Sequence, residues 1–197
     1  MTDVPTMAGT RAAPPLWRVV VAIMAAPGEI LRRHASALPA SLALGVSGTA
    51  FAVFFAQTAI DLHQHSWNAE ALAGMAVLST IGALLGTLGI ALLAVLNFVL
   101  SRPFNSTVSF GWTLRAFALA YSPTLIYALC GLVFQLTLGW PTTLAFGVTG
   151  YLWALGPLHA AVNELCQSRP LPAMVLTTLN GALLLLAWAG ASMGYGP

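Results

Sequence analysis

Long apolar runs separated by short polar connections make up most of this 197-residue chain. Five of the runs contain no Asp, Glu, Lys or Arg over more than 20 consecutive residues. An α-helix rises about 1.5 Å per residue, so about 20 apolar residues are enough to cross a bilayer core. The pattern therefore predicts a five-helix transmembrane domain over residues 38–193. The predicted spans are residues 38–60, 72–100, 116–138, 142–162 and 172–193.

The segment before the first span has the pattern of a helix that lies in the membrane interface. Trp17, Val20 and Met24 recur at helical spacing, and the arginine beside Trp17 can reach the lipid headgroups. We predict an interfacial amphipathic helix segment at residues 16–35, preceded by a flexible cytoplasmic tail at residues 1–15. A signal peptide is the alternative interpretation, but the charge inside the apolar stretch argues against it.

The amino-acid composition indicates that the predicted domain is embedded in lipid. Hydrophobic residues make up 58% of the chain and charged residues 6%, whereas soluble domains carry about 25% charged residues. The chain is therefore predicted to be an all-α integral membrane protein. Seven arginines are present with five acidic residues, and the net charge of +2 is too small to indicate a nucleic-acid partner.

The positions of the arginines predict how the domain is oriented. All seven precede the first span or lie in the second and fourth connections, and the first and third connections contain none. Because arginine is enriched on the cytoplasmic side of membrane proteins, we predict a cytoplasmic N-terminus and an outer C-terminus. Trp67 and Trp140 then fall at the outer interface, where tryptophan commonly anchors helices.

Two predicted spans contain a proline that interrupts helical hydrogen bonding. Pro123 frees the carbonyl near Leu119, so a kink is expected there unless the Ser122 hydroxyl satisfies that group. Pro157 is the corresponding residue of the fourth span. Two broken helices can mark a carrier site. Since no charged or clustered polar residues lie beside them, we interpret both prolines as packing kinks.

The second span carries two glycines four residues apart, Gly82 and Gly86. Small residues at this spacing let helix backbones approach each other closely. Two partners fit the pattern: another helix of the same chain, or the same surface of a second copy in a homodimer. Gly82, Gly86, Pro123 and Pro157 are therefore candidate residues for helix packing or for contact with a partner.

Titratable side chains are scarce within the predicted spans. Besides tyrosine and cysteine there is only His159, about one helical turn from the cytoplasmic surface. Asn163 shares its helix face and Glu164 is adjacent. With Arg102 and Arg115 these residues form a predicted polar cluster at the inner interface. Because an unpaired carboxylate is costly there, we expect Glu164 to pair with Arg115 or Arg102.

The sequence indicates neither a catalytic site nor a bound metal or cofactor. His63 and His65, with Asp61 and Glu70 nearby, offer two imidazoles, but a zinc site needs three or four convergent ligands. A solvated loop is the preferred interpretation. Of the two cysteines, one lies mid-span and one in a connection, so they are expected to stay unpaired. The chain is predicted not to be an enzyme, and no cofactor is expected.

Three stretches resemble a known family. They are Trp17 with Pro27 and Ile30-Leu31, residues 114–123 with the sequence Leu-Arg-Ala-Phe-Ala-Leu-Ala-Tyr-Ser-Pro, and the fourth span continuing through residues 164–173. Together with the span count they resemble the Yip1 domain family of five-span membrane proteins. Its eukaryotic members act in vesicle trafficking and bind small GTPases. This chain lacks their long cytoplasmic N-terminal region and an Asp-Leu-Tyr-Gly-Pro motif, so the resemblance implies a bacterial member in the inner membrane.

Two hypotheses for function follow. The preferred one is a non-catalytic membrane scaffold or accessory subunit that acts through helix–helix and lipid contacts. Its partners would be the lipid bilayer and either another integral membrane protein or further copies of the chain. The alternative is a small-solute permease built around the kinks at Pro123 and Pro157. That hypothesis requires a cavity at the bilayer midplane, lined by Tyr121, Ser122, Tyr127 or Asn163.

Overall fold

The computed structural model describes residues 15–63, 67–104 and 106–194. In these ranges 88% of the residues are helical and none forms a β-strand, which confirms the predicted all-α class. Two short helices, α1 Leu16–Ala25 and α2 Pro27–His34, come first. The remaining α-helices are α3 Ala40–Leu62, α4 Ala69–Leu84, α5 Ile90–Leu100, α6 Phe110–Ala120, α7 Ser122–Leu138, α8 Thr149–Leu165 and α9 Pro170–Met193.

Four helical stretches of the described chain are long and apolar enough to cross a membrane. Two of them are α3 and α9. The others are Ala69–Leu100, in which the π-helical residues Leu85–Gly89 join α4 to α5, and Phe110–Leu138, which comprises α6 and α7. The chain therefore has the architecture of a multi-pass membrane protein. The predicted fourth span, residues 142–162, corresponds to a π-helical segment followed by α8 and is not among these four.

Three helix ends have a clear local chemical cause. The Asn68 side chain accepts the Ala71 N–H at 2.8 Å and so begins α4, and the Ser109 hydroxyl accepts the Trp112 N–H at 3.2 Å and begins α6. Each satisfies a backbone donor that lacks a partner within the helix. Gly139 ends α7 with φ of +66°, a left-handed conformation that glycine adopts without steric cost.

Helix α3 lies at the centre of the fold. It packs against α4, α6 and α7, and 67% of the residues in its most apolar window are buried. Phe51, Phe54 and Phe55 are its largest buried side chains, and each is at most 1% exposed. The Phe51 ring contacts Tyr121 and Tyr151, and the Phe54 ring stacks on Trp188. Burying these aromatic side chains on one helix stabilises the bundle from within.

The helical run from Phe110 to Leu138 is interrupted at the predicted place. Helix α6 ends before Tyr121, whose φ of −88° and ψ of 13° are not helical, and α7 starts at Ser122 with Pro123 in its first turn. The Ser122 hydroxyl donates to the Leu119 carbonyl at 2.6 Å. The helix is therefore interrupted although the Ser122 hydroxyl makes the contact that was expected to prevent a kink. Pro157, in contrast, is buried inside an uninterrupted α8.

The N-terminal segment forms two helices that pack on the bundle. Helix α1 contacts α6 and α7, and α2 contacts α8. Val20 was grouped with Trp17 on one apolar face of the sequence, but Val20 is 8% exposed whereas Trp17 is 63% exposed. Apolar residues therefore occupy both sides of α1. One side packs against the bundle, and the other side faces outward. The predicted tail at residues 1–15 lies outside the described residues except for Pro15.

Candidate functional site

Polar side chains collect at two ends of the bundle, which we name after their acidic residues. The Glu164 end contains the start of α3, the end of α5 and the connection from α8 to α9. The Asp61 end contains the end of α3, the end of α7 and the π-helical segment Thr143–Val148. The sequence predicted a polar cluster at the Glu164 end only.

Glu164 has an arginine partner, but not one of the two predicted. The Arg32 guanidinium donates to its carboxylate at 2.6 Å, and the two side chains are 58% and 30% exposed. The expected partners were Arg115 or Arg102, so that prediction was wrong. Arg32 is available because α2 packs against α8, a contact that joins residues 132 positions apart. Glu29 and Arg33 form a second ion pair at 2.9 Å within α2.

The two arginines of the predicted cluster have separate environments. The Arg102 guanidinium lies 4.3 Å above the centre of the Phe98 ring, a cation–π contact. Arg115 is half-buried on α6, and its Nε atom is buried without a hydrogen-bond partner in the described chain. The predicted cluster is therefore divided among several local contacts.

His159 joins α8 to α9. Its Nδ1 atom lies 3.3 Å from the Thr177 hydroxyl oxygen, and that hydroxyl donates to the Ala173 carbonyl at 2.7 Å. With the hydroxyl proton used in that bond, the tautomer of His159 that is protonated on Nδ1 can donate to the Thr177 oxygen. This arrangement is the bond to a neighbouring helix that a polar helix end would make.

A cavity of about 480 Å³ opens beside the Arg32–Glu164 pair. Its walls also include residues of the connection before α6 and the first turn of that helix. The lining residues are Arg32, Ser36, Thr107, Val108, Ser109, Trp112 and Glu164. Both charged groups of this cavity are already paired with each other.

The two glycines of the second predicted span form an internal contact. A side chain at Gly82 would collide with the Phe51 carbonyl of α3, and one at Gly86 would collide with the Ser47 carbonyl. The backbones of α3 and of Ala69–Leu100 can approach this closely only because both positions lack a side chain. Of the two open alternatives, the structure therefore has the contact within the chain.

A pair of buried amides connects the second and last candidate spans. Asn97 of α5 and Asn180 of α9 are each 1% exposed. Asn97 Nδ2 donates to Asn180 Oδ1 at 2.9 Å, and Asn180 Nδ2 donates to Asn97 Oδ1 at 3.0 Å. Neutral amides carry no charge, so a search of the sequence for ionisable groups missed this pair. The signal that could have found it is an asparagine within each of two otherwise apolar runs.

The Asp61 end contains a polar network that the sequence analysis assigned to a solvated loop. Asp61 instead lies in the last turn of α3. Its Oδ1 accepts from Gln135 Nε2 of α7 at 2.5 Å, and its Oδ2 accepts from the Thr143 N–H at 2.9 Å. Gln135 Nε2 also donates to the Gln57 carbonyl at 3.0 Å, and Gln57 Nε2 donates to Thr142 at 3.2 Å. One carboxylate thus connects α3, α7 and the start of the next helix.

Three oxygen atoms of this network have no partner in the described chain. They are Gln57 Oε1, Gln135 Oε1 and Thr143 Oγ1, and all three are buried. Buried polar atoms are normally hydrogen-bonded, so unpartnered atoms mark a place where a further group can bind. A cavity of about 490 Å³ adjoins the network, and Asp61 and Thr143 both line it.

A metal site is not formed by the described residues, in which no group of three or more His, Cys, Asp or Glu side chains converges. His63 ends α3, while the predicted second imidazole, His65, lies outside the described ranges.

The fold and its polar contacts define a multi-pass α-helical membrane protein. Comparison with known protein families, curated proteins and solved structures found no match to this chain.

Proposed function

We propose that this protein is a non-catalytic membrane scaffold or accessory subunit, acting through helix–helix and lipid contacts. The observation that carries the proposal is the closed aromatic centre of the bundle. Tyr121 and Tyr151 are at most 1% exposed, as is Phe51 between them. Because this centre is closed, we expect the protein to act through its outer helix surfaces and its two ends.

The aromatic centre is held by ring contacts and one hydrogen bond. The Phe51 ring meets Tyr121 edge-on at 5.1 Å, and the Tyr121 and Tyr151 rings stack at 6.3 Å. The Tyr151 hydroxyl donates to the Gly181 carbonyl at 2.5 Å. Three helices, α3, α8 and α9, therefore meet the break between α6 and α7 at these rings. Packed aromatic groups of this kind favour a rigid bundle.

The permease hypothesis needs a cavity at the same place. Tyr121 and Ser122 are completely buried, and the Ser122 hydroxyl is bonded to the backbone of its own helix. The Tyr127 ring stacks with Trp153 at 6.4 Å. Three of the four residues named for a transport pathway thus pack against protein, which favours the scaffold over the permease.

Two candidate spans offer extended apolar surfaces. In Ala69–Leu100 and in α9 only 28% of the most apolar window is buried, against 67% in α3. Leu88 and Leu92 are about two-thirds exposed, and so is Leu186 of α9. These surfaces meet lipid, a second membrane protein or another copy of the chain.

The proposed arrangement has five spans, a cytoplasmic N-terminus and an outer C-terminus, in a bacterial inner membrane. Residues 143–165 are continuously helical and would extend about 35 Å, which is long enough for a fifth span. With five spans, every described arginine belongs to the Glu164 end, and arginine-rich ends face the cytoplasm. The resemblance to the Yip1 domain family supports the same arrangement and remains part of this proposal.

Site-directed photo-crosslinking in native membranes tests the scaffold proposal. A photoreactive amino acid would replace Leu92 on α5, Leu186 on α9 or Val133 on α7, all of them exposed side chains on different helices. We expect at least one position to give a crosslinked band of defined mass, containing either a second copy or another membrane protein. Positions that face lipid give no protein adduct and serve as internal controls. Lipid adducts alone at all three positions, with a monomer in mild detergent, would refute the proposal.

A further inference from the structure

The cavity of about 490 Å³ at the Asp61 end has the composition of a ligand site. Its volume is within the range of small-molecule pockets, which are mostly apolar with a few convergent polar groups. Apolar side chains of α3, of the segment 141–145 and of α9 form most of its wall. The lining residues are Thr58, Asp61, Leu62, Pro141, Thr143, Leu144, Ala145, Trp188 and Ser192.

Asp61 provides the only carboxylate of this wall. Neither of the two ion pairs in the described ranges involves it. Each of its oxygens accepts one hydrogen bond from a neutral protein donor, from Gln135 and from the Thr143 backbone. A carboxylate oxygen has two lone pairs, so both atoms can accept one more hydrogen bond. A negative charge beside an apolar cavity favours a cationic ligand that can donate hydrogen bonds.

Thr143 supplies a second acceptor at the same place. Its side chain is 6% exposed, and its hydroxyl oxygen is buried with no partner in the described chain. The backbone N–H of Thr143 donates to the Asp61 carboxylate. The Thr143 hydroxyl and the Asp61 carboxylate therefore lie close together in the cavity wall. A primary ammonium group has three N–H donors and would satisfy both.

Trp188 provides an aromatic wall for such a ligand. Its indole N–H donates to the Thr58 hydroxyl at 2.9 Å, and its ring stacks on Phe54 at 5.4 Å. These two contacts fix the orientation of the ring. An ammonium group near an indole gains a cation–π contribution in addition to its hydrogen bonds.

We propose that this cavity binds the ammonium headgroup of an aminophospholipid, with Asp61 and Thr143 as its acceptors. A membrane lipid is the expected source because the cavity lies at the end of a candidate span and its wall continues into the exposed side chain of Leu144, 71% accessible. The apolar remainder of the wall accepts the part of the lipid next to the headgroup.

Native mass spectrometry of the full chain, released from nanodiscs, measures which lipid is retained. The nanodiscs would consist of phosphatidylcholine with an equal minor fraction of phosphatidylethanolamine or of phosphatidylglycerol. Phosphatidylcholine carries the same positive charge but has no N–H donor, so it isolates the contribution of hydrogen bonding. We expect phosphatidylethanolamine to be retained about tenfold or more above its mole fraction, as charged hydrogen bonds imply, and phosphatidylglycerol not to be enriched.

Three variants separate this site from general lipid contact. Asp61→Asn removes the charge, and Ala145→Trp fills the cavity without changing the polar network. Thr143→Val removes a hydroxyl that has no protein partner, so it should weaken lipid retention without lowering stability. Each is expected to reduce the enrichment about tenfold or to abolish it. The matched controls are Glu70→Gln and Ala76→Trp, an exposed acid and an exposed alanine outside the cavity, and these should retain the lipid.

Octylamine added to nanodiscs of phosphatidylcholine, with or without phosphatidylethanolamine, tests whether a lipid or a free amine supplies the ammonium group. In wild type it should compete with phosphatidylethanolamine, and octanol of the same chain length should not. If octylamine binds but phosphatidylethanolamine is never enriched, the lipid assignment is wrong. Equal retention of all three lipids, or full retention in folded Thr143→Val and Ala145→Trp, would refute the site itself.

Discussion

Asn97 and Asn180 exchange two side-chain hydrogen bonds, of 2.9 and 3.0 Å, across 83 residues of sequence. Both side chains are buried, and Asn97 Nδ2 also donates to the Leu93 carbonyl of its own helix at 2.8 Å. In an apolar environment each amide satisfies the other, so neither bears the cost of an unpaired polar group. The pair therefore holds α9 in register with α5.

Replacing one member of this pair should destabilise the bundle. Asn180→Leu leaves the Asn97 carboxamide oxygen unpaired, and we expect the free energy of unfolding to fall by about 1–2 kcal/mol. Equilibrium unfolding of the detergent-solubilised protein by SDS, followed by tryptophan fluorescence, measures the change. The Asn97→Leu, Asn180→Leu double variant should lose less than the sum of the two single variants. Strict additivity would show that the amides do not interact.

The contact between α3 and the second candidate span predicts a glycine-specific effect. Gly82→Ala puts a methyl group against the Phe51 carbonyl, a backbone atom that cannot move away by a side-chain rotation. We expect a loss of about 1–3 kcal/mol in the free energy of unfolding, as for other overpacked cores.

Gly45→Ala is the matched control, because a side chain there meets no atom within 4 Å. Alanine is also the better helix former, so this variant should be as stable as wild type or slightly more so. Both variants would be compared in the same SDS titration. Equal effects at the two positions would mean that the close approach of the helices is not what Gly82 provides.

The ion pair between Arg32 and Glu164 should contribute little to global stability. Both side chains are partly exposed, and pairs of this kind are worth less than about 1 kcal/mol. The expected effect of Glu164→Gln is local: faster amide hydrogen exchange in α2, measured by mass spectrometry, with little change elsewhere. Reversing both charges, as Arg32→Glu with Glu164→Arg, should restore protection of α2. Unchanged exchange in Glu164→Gln would show that apolar packing alone holds α2 on α8.

Hydropathy accounts for much of the fold because a long apolar run has few alternatives in lipid. The predicted ends at Leu100 and Leu138 are the observed ends of α5 and α7. The interruption at Tyr121 was also predictable, since proline acts on its own helix within one turn. These are local effects, and a single sequence contains the information that determines them.

Long-range partners could not be predicted in the same way. Arg102 and Arg115 were the expected partners of Glu164, and the observed partner, Arg32, depends on how α2 packs on α8. Asp61 was assigned to a loop because it follows an apolar run, yet its partners are Gln135, inside another run, and a backbone N–H. Counting charges within the spans cannot detect contacts made by neutral amides.

A reporter at the C-terminus tests the number of spans and their orientation together. Five spans with a cytoplasmic N-terminus put the C-terminus outside, whereas four spans, with α8 remaining on one side, return it to the cytoplasm. We expect a C-terminal alkaline phosphatase fusion to be active and a green fluorescent protein fusion to be dark. Fusions after Phe104, which follows the second candidate span, should give the opposite result. A fluorescent C-terminal fusion would contradict the five-span arrangement.

Cys166 should react slowly with thiol reagents although it lies in a connection between helices. Its side chain is fully buried directly after α8, and this burial raises the pKa of the thiol. Only the thiolate reacts, so a raised pKa lowers the reactive fraction at neutral pH, and the rate should keep rising with pH beyond the ordinary cysteine range. In a Cys130→Ser background, maleimide labelling followed by intact mass measures this rate.

The control is Gln167→Cys in a background with both native cysteines replaced, since Gln167 is the exposed neighbour. Its thiol should react about tenfold faster or more at neutral pH, and the two rates should converge once SDS unfolds the chain. Equal rates in the folded protein would mean that burial does not protect Cys166.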